Sequence, residues 1–165
     1  MKNIKLVRVD FRLIHGQVIT KWKNIIAANQ IIIVDDKLAK DPFLSDIYVM
    51  AAPPDVAVHV LPEDDFVAKV QQGTFDDGSS NVLILFKSIG NVRRIVEKGV
   101  PFSELQIGGL GGGENRKTVV TGVSIDTNDL EDLKFMQSKN VNVHFQVTPE
   151  EAKVGLDKAI SKLGG

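Results

Sequence analysis

The chain has 165 residues, 20 of them basic and 21 acidic, for a formal charge of −1. That balance excludes the strongly basic face on which general nucleic-acid binding depends. Cysteine is absent, which excludes disulfides, thiolate nucleophiles and cysteine-ligated metals and fits a reducing compartment. With 43% apolar and 25% charged residues, the composition is that of one globular domain, residues 1–165, large enough to bury a core without cross-links. The opening residues Met1-Lys2-Asn3-Ile4-Lys5 lack the apolar run of a signal peptide, and no stretch approaches the roughly 18 apolar residues of a membrane span. A cytoplasmic protein is expected, associated at most peripherally with a membrane.

Hydrophobic pattern and breakers divide the chain into alternating strands and helices. Ile4–Val9 reads as a strand. Ile14, Val18, Trp22 and Ile25 then fall near one face of a helix closing around Asn29, with Trp22 in the core. Ile31–Val34 is wholly apolar and β-branched, as a strand covered on both faces should be. Asp41-Pro42 supplies an N-cap and a proline at the first helical position, so a helix runs to about Met50. Val56–Leu61 is a strand, and Pro62 opens a helix that stops at Gly73. Thr74–Asn81 is a polar loop before a fourth strand, Val82–Phe86. A helix follows from about Ile89 to Lys98, with Gly99 just past its end.

Glu104–Ile107 makes a fifth strand, Gly108–Lys117 a loop, and Thr118–Ile125 a sixth strand. Asn128–Glu131 reads as a capping arrangement for a helix reaching Lys139. Val141, Val143, Phe145 and Val147 alternate with polar residues, which marks a strand with one polar face. Thr148-Pro149-Glu150-Glu151 is a capping box for a terminal helix. Repeated strand–helix–strand units imply an α/β fold: a doubly wound, mainly parallel sheet of about seven strands, helices on both faces, and an antiparallel pair late in the chain. The fifth and sixth strands, with no helix between them, are the candidates for that pair.

In such sheets ligands bind beyond the carboxyl ends of the strands. The first such junction, Asp10-Phe11-Arg12-Leu13-Ile14-His15-Gly16-Gln17, places Arg12 and His15 in a loop leading into a helix. Unpaired backbone N–H groups of Ile14, Gly16 and Gln17 suit a phosphate there. Arg12 adds a planar fork for phosphate oxygens. His15 supplies a nucleophile in its neutral form. Asp10 can orient one ring nitrogen or hold Arg12, and Gly16 leaves room for close approach. The plainer alternative is a surface histidine beside a solvated arginine. Lys87 and Ser88 follow the fourth strand at the same edge and are candidates for phosphate or partner contact, though Ser88 also fits a helix N-cap. Asp35-Asp36 follows the second strand. Its readings are a metal site, an aspartyl-phosphate site, or an acidic pair in solvent at the site's rim.

The string Arg8-Val9-Asp10-Phe11-Arg12-Leu13-Ile14-His15-Gly16-Gln17-Val18 closely resembles the signature of the IIB subunits of the mannose/fructose/sorbose family of the sugar phosphotransferase system. Val34-Asp35-Asp36, Lys98-Gly99-Val100-Pro101, Gly108-Gly109 and Val143-His144-Phe145-Gln146-Val147-Thr148-Pro149 resemble the family as well. Phe11 departs from it, standing where many members carry a second acidic residue, and the loop from Gly109 to Lys117 is richer in glycine. The resemblance implies a phosphohistidine–sugar phosphotransferase component. His15 would accept a phosphoryl group on Nδ1 from a IIA protein and pass it to a sugar held by the membrane subunits IIC and IID, with Arg12 contacting the phosphate. This scheme needs no metal or cofactor, and it leaves the sugar and any homo-oligomer open. The competing class is a non-catalytic small-molecule-binding or regulatory module. Within the glycine-rich Gly108–Gly113 stretch neither nucleotide-loop pattern is found, so a loop bordering the site is expected there. His59 and His144, inside strands, are expected to be structural or surface residues.

Overall fold

The computed structural model describes residues 1–16 and 18–164. Its main sheet has seven strands, in the order β3 (Ala57–Leu61), β2 (Gln30–Val34), β4 (Val82–Phe86), β1 (Ile4–Asp10), β5 (Glu104–Gly109), β8 (Asn142–Phe145) and β9 (Val154–Gly155). Four of these lie close to expectation: β1, β2, β3 and β4. Their pairings are all parallel. Strand β4, between β2 and β1, is buried at every residue, as its unbroken Val-Leu-Ile-Leu-Phe run requires. Alternation along β2 and β4 splits the core in two. Ile32, Val34, Val82, Ile84 and Phe86 face one cluster, while Ile31, Ile33, Leu83 and Leu85 face the other.

Helices cover both faces. Leu38 of α2 (Asp36–Ala39) and Tyr48 of α3 (Pro42–Met50) pack on the second cluster. Phe66 of α4 (Glu63–Gln71), Ile95 of α5 (Ile89–Glu97), Met136 of α6 (Thr127–Ser138) and Ala159 of α7 (Leu156–Lys162) pack on the first. The caps are local chemistry: Asp41 accepts the Leu44 N–H ahead of Pro42, and Ser88 accepts the Asn91 N–H. Gly99 adopts φ 96° past α5, where a side chain would be strained.

The structure corrects four expectations. The helix read over 14–29 ends sooner and is not α-helical throughout: a π-helical turn (Val18–Trp22) runs directly into the short α1 (Lys23–Ile25), and Trp22 is buried as expected. The sixth strand is a hairpin, β6 (Lys117–Val120) antiparallel to β7 (Val123–Ile125), turned at Gly122 with φ 90°. The late antiparallel pair therefore lies within this segment, as a separate two-stranded sheet. Helix α6 starts two residues earlier than read, on an Asp126–Asp129 capping box. Helix α7 starts at Leu156 and not after Thr148, because the intervening chain forms β9 (Val154–Gly155) antiparallel to β8 (Asn142–Phe145).

Strand β5 (Glu104–Gly109) lies beside β1 on the side away from β4, and takes in Gly108 and Gly109, read from sequence as loop. The chain leaves β1 toward β2 on one side and leaves β5 toward β8 on the other. The carboxyl ends of β1 and β5 thus form a switch point, where doubly wound sheets open a crevice.

Candidate functional site

Beyond β1 the loop geometry is set by Asp10. Its main-chain oxygen accepts the Leu13 N–H at 2.9 Å, and its side-chain Oδ1 accepts the Arg12 N–H at 3.1 Å, so one residue caps a tight turn from both ends. Leu13 closes the turn with φ 56°, a conformation costly for a residue with a Cβ. Its side chain is fully buried, and that anchorage in the second core cluster, shared with Ile14, offsets the strain. The reversal carries His15 back over the strand end.

There His15 Nε2 lies 2.8 Å from Asp10 Oδ2. A carboxylate only accepts, so Nε2 carries the proton and, in the neutral ring, Nδ1 holds the lone pair. Asp10 is fully buried. Burial alone raises its pKa, but the hydrogen bonds from His15 and the Arg12 N–H, with the charge of Arg8, bring it below the ordinary value. The His15 side chain is 16% exposed and that of Arg12 45%, so the ring is sheltered while the guanidinium remains open to an anion. Arg12 also reaches Asp10 Oδ1 through Nε at 3.4 Å and lies over the Phe11 ring.

Arg8, fully buried one side chain further along the same face of β1, completes the group. One terminal nitrogen donates to Gln106 Oε1 and to Gln146 O; the other donates to Asp10 Oδ2 at 3.2 Å, Gly108 O and Val147 O. The Trp22 ring packs on this guanidinium, and its Nε1–H donates to Val147 O at 3.0 Å. The polar face read for β8 is therefore not solvated: His144 and Gln146 are both buried. Among the described residues, His144 Nε2 has no partner, and burial lowers its pKa.

The glycines of β5 make this arrangement possible. A Cβ on Gly108 would stand 2.0 Å from Arg8 Cζ, and one on Gly109 2.8 Å from Asp10 Oδ1. Gly108→Ala is expected to cost about 3 kcal/mol of stability, the upper end of ordinary overpacking, read as a lowered urea midpoint.

The remaining sequence candidates fall elsewhere or do other work. Asp35, Lys87 and Ser88 share with Phe11, Glu63 and Arg94 a neighbouring cleft of about 770 Å³. Ser88 caps α5, and Asp35, buried, accepts the Leu38 N–H at 2.9 Å to cap α2. Asp36 accepts the Glu63 N–H at 2.8 Å. Asp35 is thus a buried structural cap, whereas Asp36 is exposed at the rim of that cleft. Ile14 is an anchor in the core, and among the described residues beyond its chain neighbours no atom lies within 4 Å of where a Gly16 Cβ would stand. Gln17 lies outside the described residues. The glycine-rich loop is tied down by Arg116, which bonds Gly111 O, Ser124 O, Asp126 and Asp129. Sequence reasoning missed Arg8 as a site member. The available signal was an arginine two residues before an aspartate in an apolar strand, which puts both on one face.

Comparison with known proteins supplies the remaining findings. The family model described as the PTS system sorbose subfamily IIB component matches residues 4–164. The sorbose-specific EIIB component of Klebsiella pneumoniae is 32% identical over 156 residues, 94% of either chain. The mannose-specific EIIAB component of Escherichia coli (strain K12) is 29% identical over 160 residues, 97% of this chain but 49% of its own length. The chain thus spans about half the length of the mannose relatives it matches. Relatives named for fructose and N-acetylgalactosamine match as well. Among solved structures, the IIBSor domain of the K. pneumoniae sorbose permease superposes with TM-score 0.88 at 30% identity, covering 97% of both chains. ManxB from Thermoanaerobacter tengcongensis superposes with TM-score 0.85 at 35% identity, covering 96% of this chain and 95% of that one.

Proposed function

Because the chain belongs to the IIB components of the PTS sorbose subfamily, we propose that it is a phosphocarrier in which His15 Nδ1 accepts a phosphoryl group from phosphohistidine on a IIA protein. The phosphoryl group then passes to a sugar held by the membrane subunits IIC and IID, with the carrier docked at the cytoplasmic surface. The observation that carries this reading is the Nε2–Asp10 hydrogen bond at 2.8 Å, which leaves the other ring nitrogen as nucleophile. In the transfer a bond forms between Nδ1 and phosphorus as the donor's N–P bond breaks, while the proton stays on Nε2. The ring becomes cationic, and the Asp10 carboxylate beside it offsets that charge. Arg12 and the backbone N–H groups from Ile14 to Gly16 would meet the phosphoryl oxygens of the loose transition state. Sugar choice is assigned to the membrane subunits, in keeping with relatives named for several sugars.

Exposed apolar side chains support docking by a protein donor. Phe11 and Leu44 line the adjoining cleft, and the face continues along α3 through Phe43, Ile47 and Met50. Among the described residues no helix is long and apolar enough to cross a membrane, in keeping with a carrier that visits the membrane through partners.

The test is incubation with phosphorylated IIA. Intact mass is expected to rise by one phosphoryl group, the modification to be acid-labile, and phosphorus–nitrogen NMR coupling to place it on His15 Nδ1. An acid-stable adduct, or one mapped to another residue, would overturn the assignment.

A further inference from the structure

Within this phosphocarrier reading, on which the inference rests, we propose that Arg8 is a positioning residue for the transfer: it neutralises Asp10 so that the carboxylate orients the His15 ring without drawing a proton onto the nucleophile.

Arg8 and Asp10 both have fully buried side chains. An unpaired buried guanidinium is costly. This one spends its terminal N–H donors on five oxygens, of which only Asp10 Oδ2 is anionic. That oxygen is also the one 2.8 Å from His15 Nε2. The carboxylate is therefore shared between a fixed cation and a titratable ring. Gly108 O, Val147 O and Gln146 O hold the Arg8 fork in place, and the absence of a Cβ at Gly108 and Gly109 gives the Arg8 and Asp10 side chains the space they occupy against β5.

A buried carboxylate next to an imidazole with no other cation favours the imidazolium, and an opposite charge within about 4–6 Å moves such equilibria by about 1–3 pKa units. An imidazolium has no lone pair on Nδ1 and cannot attack phosphorus. With Arg8 present the carboxylate's charge is already matched, so it serves mainly as a hydrogen-bond acceptor. It supplies its full benefit only when positive charge develops on the ring during attack. The other charged groups around the ring are few. Arg12 shares Oδ1 of the same carboxylate. Lys21, on the π-helical turn, pairs with Glu150 after β8 at 2.9 Å.

The test follows the His15 ring C–H resonances through a pH titration of the unphosphorylated protein, alongside the pH dependence of phosphorylation by phospho-IIA. In Arg8→Met the ring is expected to titrate about one unit higher than in wild type. The acid limb of the rate profile should move with it, giving about a tenfold slower transfer on that limb, with the deficit narrowing as pH rises. Arg8→Lys, which keeps the charge and loses the fork, should restore the limb to its wild-type position. A folded methionine variant whose ring titrates as wild type would reduce Arg8 to a structural brace and overturn the proposal. Should methionine at this buried site prevent folding, the lysine variant decides: a full-unit displacement despite the retained charge overturns it, and a wild-type titration upholds it. Failure of the wild-type protein to accept phosphate would refute the phosphocarrier reading instead, while the ring titrations would still decide the role of Arg8.

Discussion

His15→Ala is expected to abolish acid-labile phosphorylation by phospho-IIA while leaving the fold intact. The loss should be at least about a thousandfold, on the scale of deleting an essential nucleophile. Neither remaining histidine can substitute. His144 is buried within β8, and His59 sits on the edge strand β3, remote from the turn that Asp10 organises. The stability cost is small by the same geometry. The ring is partly exposed and bonds a single described partner, Asp10, whose Oδ2 keeps its bond to Arg8 when the ring is gone. A melting temperature within a few degrees of wild type together with complete loss of label is the expected pair of results. Label persisting in the variant would remove His15 from the mechanism.

Asp10→Ala is expected to do the reverse in proportion: a moderate structural lesion becomes a severe one. It leaves the Arg8 guanidinium buried with no anion, and the price of breaking one side of a buried ion pair is about 3–5 kcal/mol. It also removes the side-chain acceptor of the Arg12 N–H, so the turn loosens and His15 loses its orienting partner. Urea unfolding near neutral pH should show the full deficit. Acidification should then narrow it. The folded-state pKa of Asp10 lies below its ordinary value, so its stabilisation is complete above the unfolded carboxylate pKa of about 3.9 and is lost as pH falls through the lower, folded value. The gap between wild type and variant is therefore constant at neutral pH and shrinks below about pH 4. A gap that widened on acidification would mean that Asp10 is protonated in the native protein.

Where local chemistry decides, the fold was legible residue by residue. Asp41-Pro42, Ser88 and Gly99 each mark a helix boundary through a hydrogen bond or a dihedral angle that their own atoms dictate. The run Ile31–Val34 announces a strand covered on both faces, and all four residues are buried. Legibility failed where tertiary partners override local preference. The stripe Ile14-Val18-Trp22 has helical spacing, yet Trp22 must reach Arg8 and Val147, and the backbone there winds as a π-helical turn. The segment from Thr118 to Ile125 reads as one strand, but the chain reverses between Val120 and Val123, where Gly122 takes φ 90°. Thr148-Pro149-Glu150-Glu151 satisfies the local rules for a cap, yet that stretch instead folds back so that Glu151 O accepts from the Gln146 side chain. The site divides in the same way. His15, Arg12 and Asp10 could be named from a loop motif, whereas the roles of Gly108 and Gly109 depend on what the neighbouring strand lays across them.

Trp22 is the only tryptophan in the chain, and its indole is stacked on Arg8 and hydrogen-bonded to Val147 O. The molecule therefore carries a native optical probe beside the candidate site. Its emission reports the packing around the buried guanidinium, so fluorescence can follow that packing with no label attached.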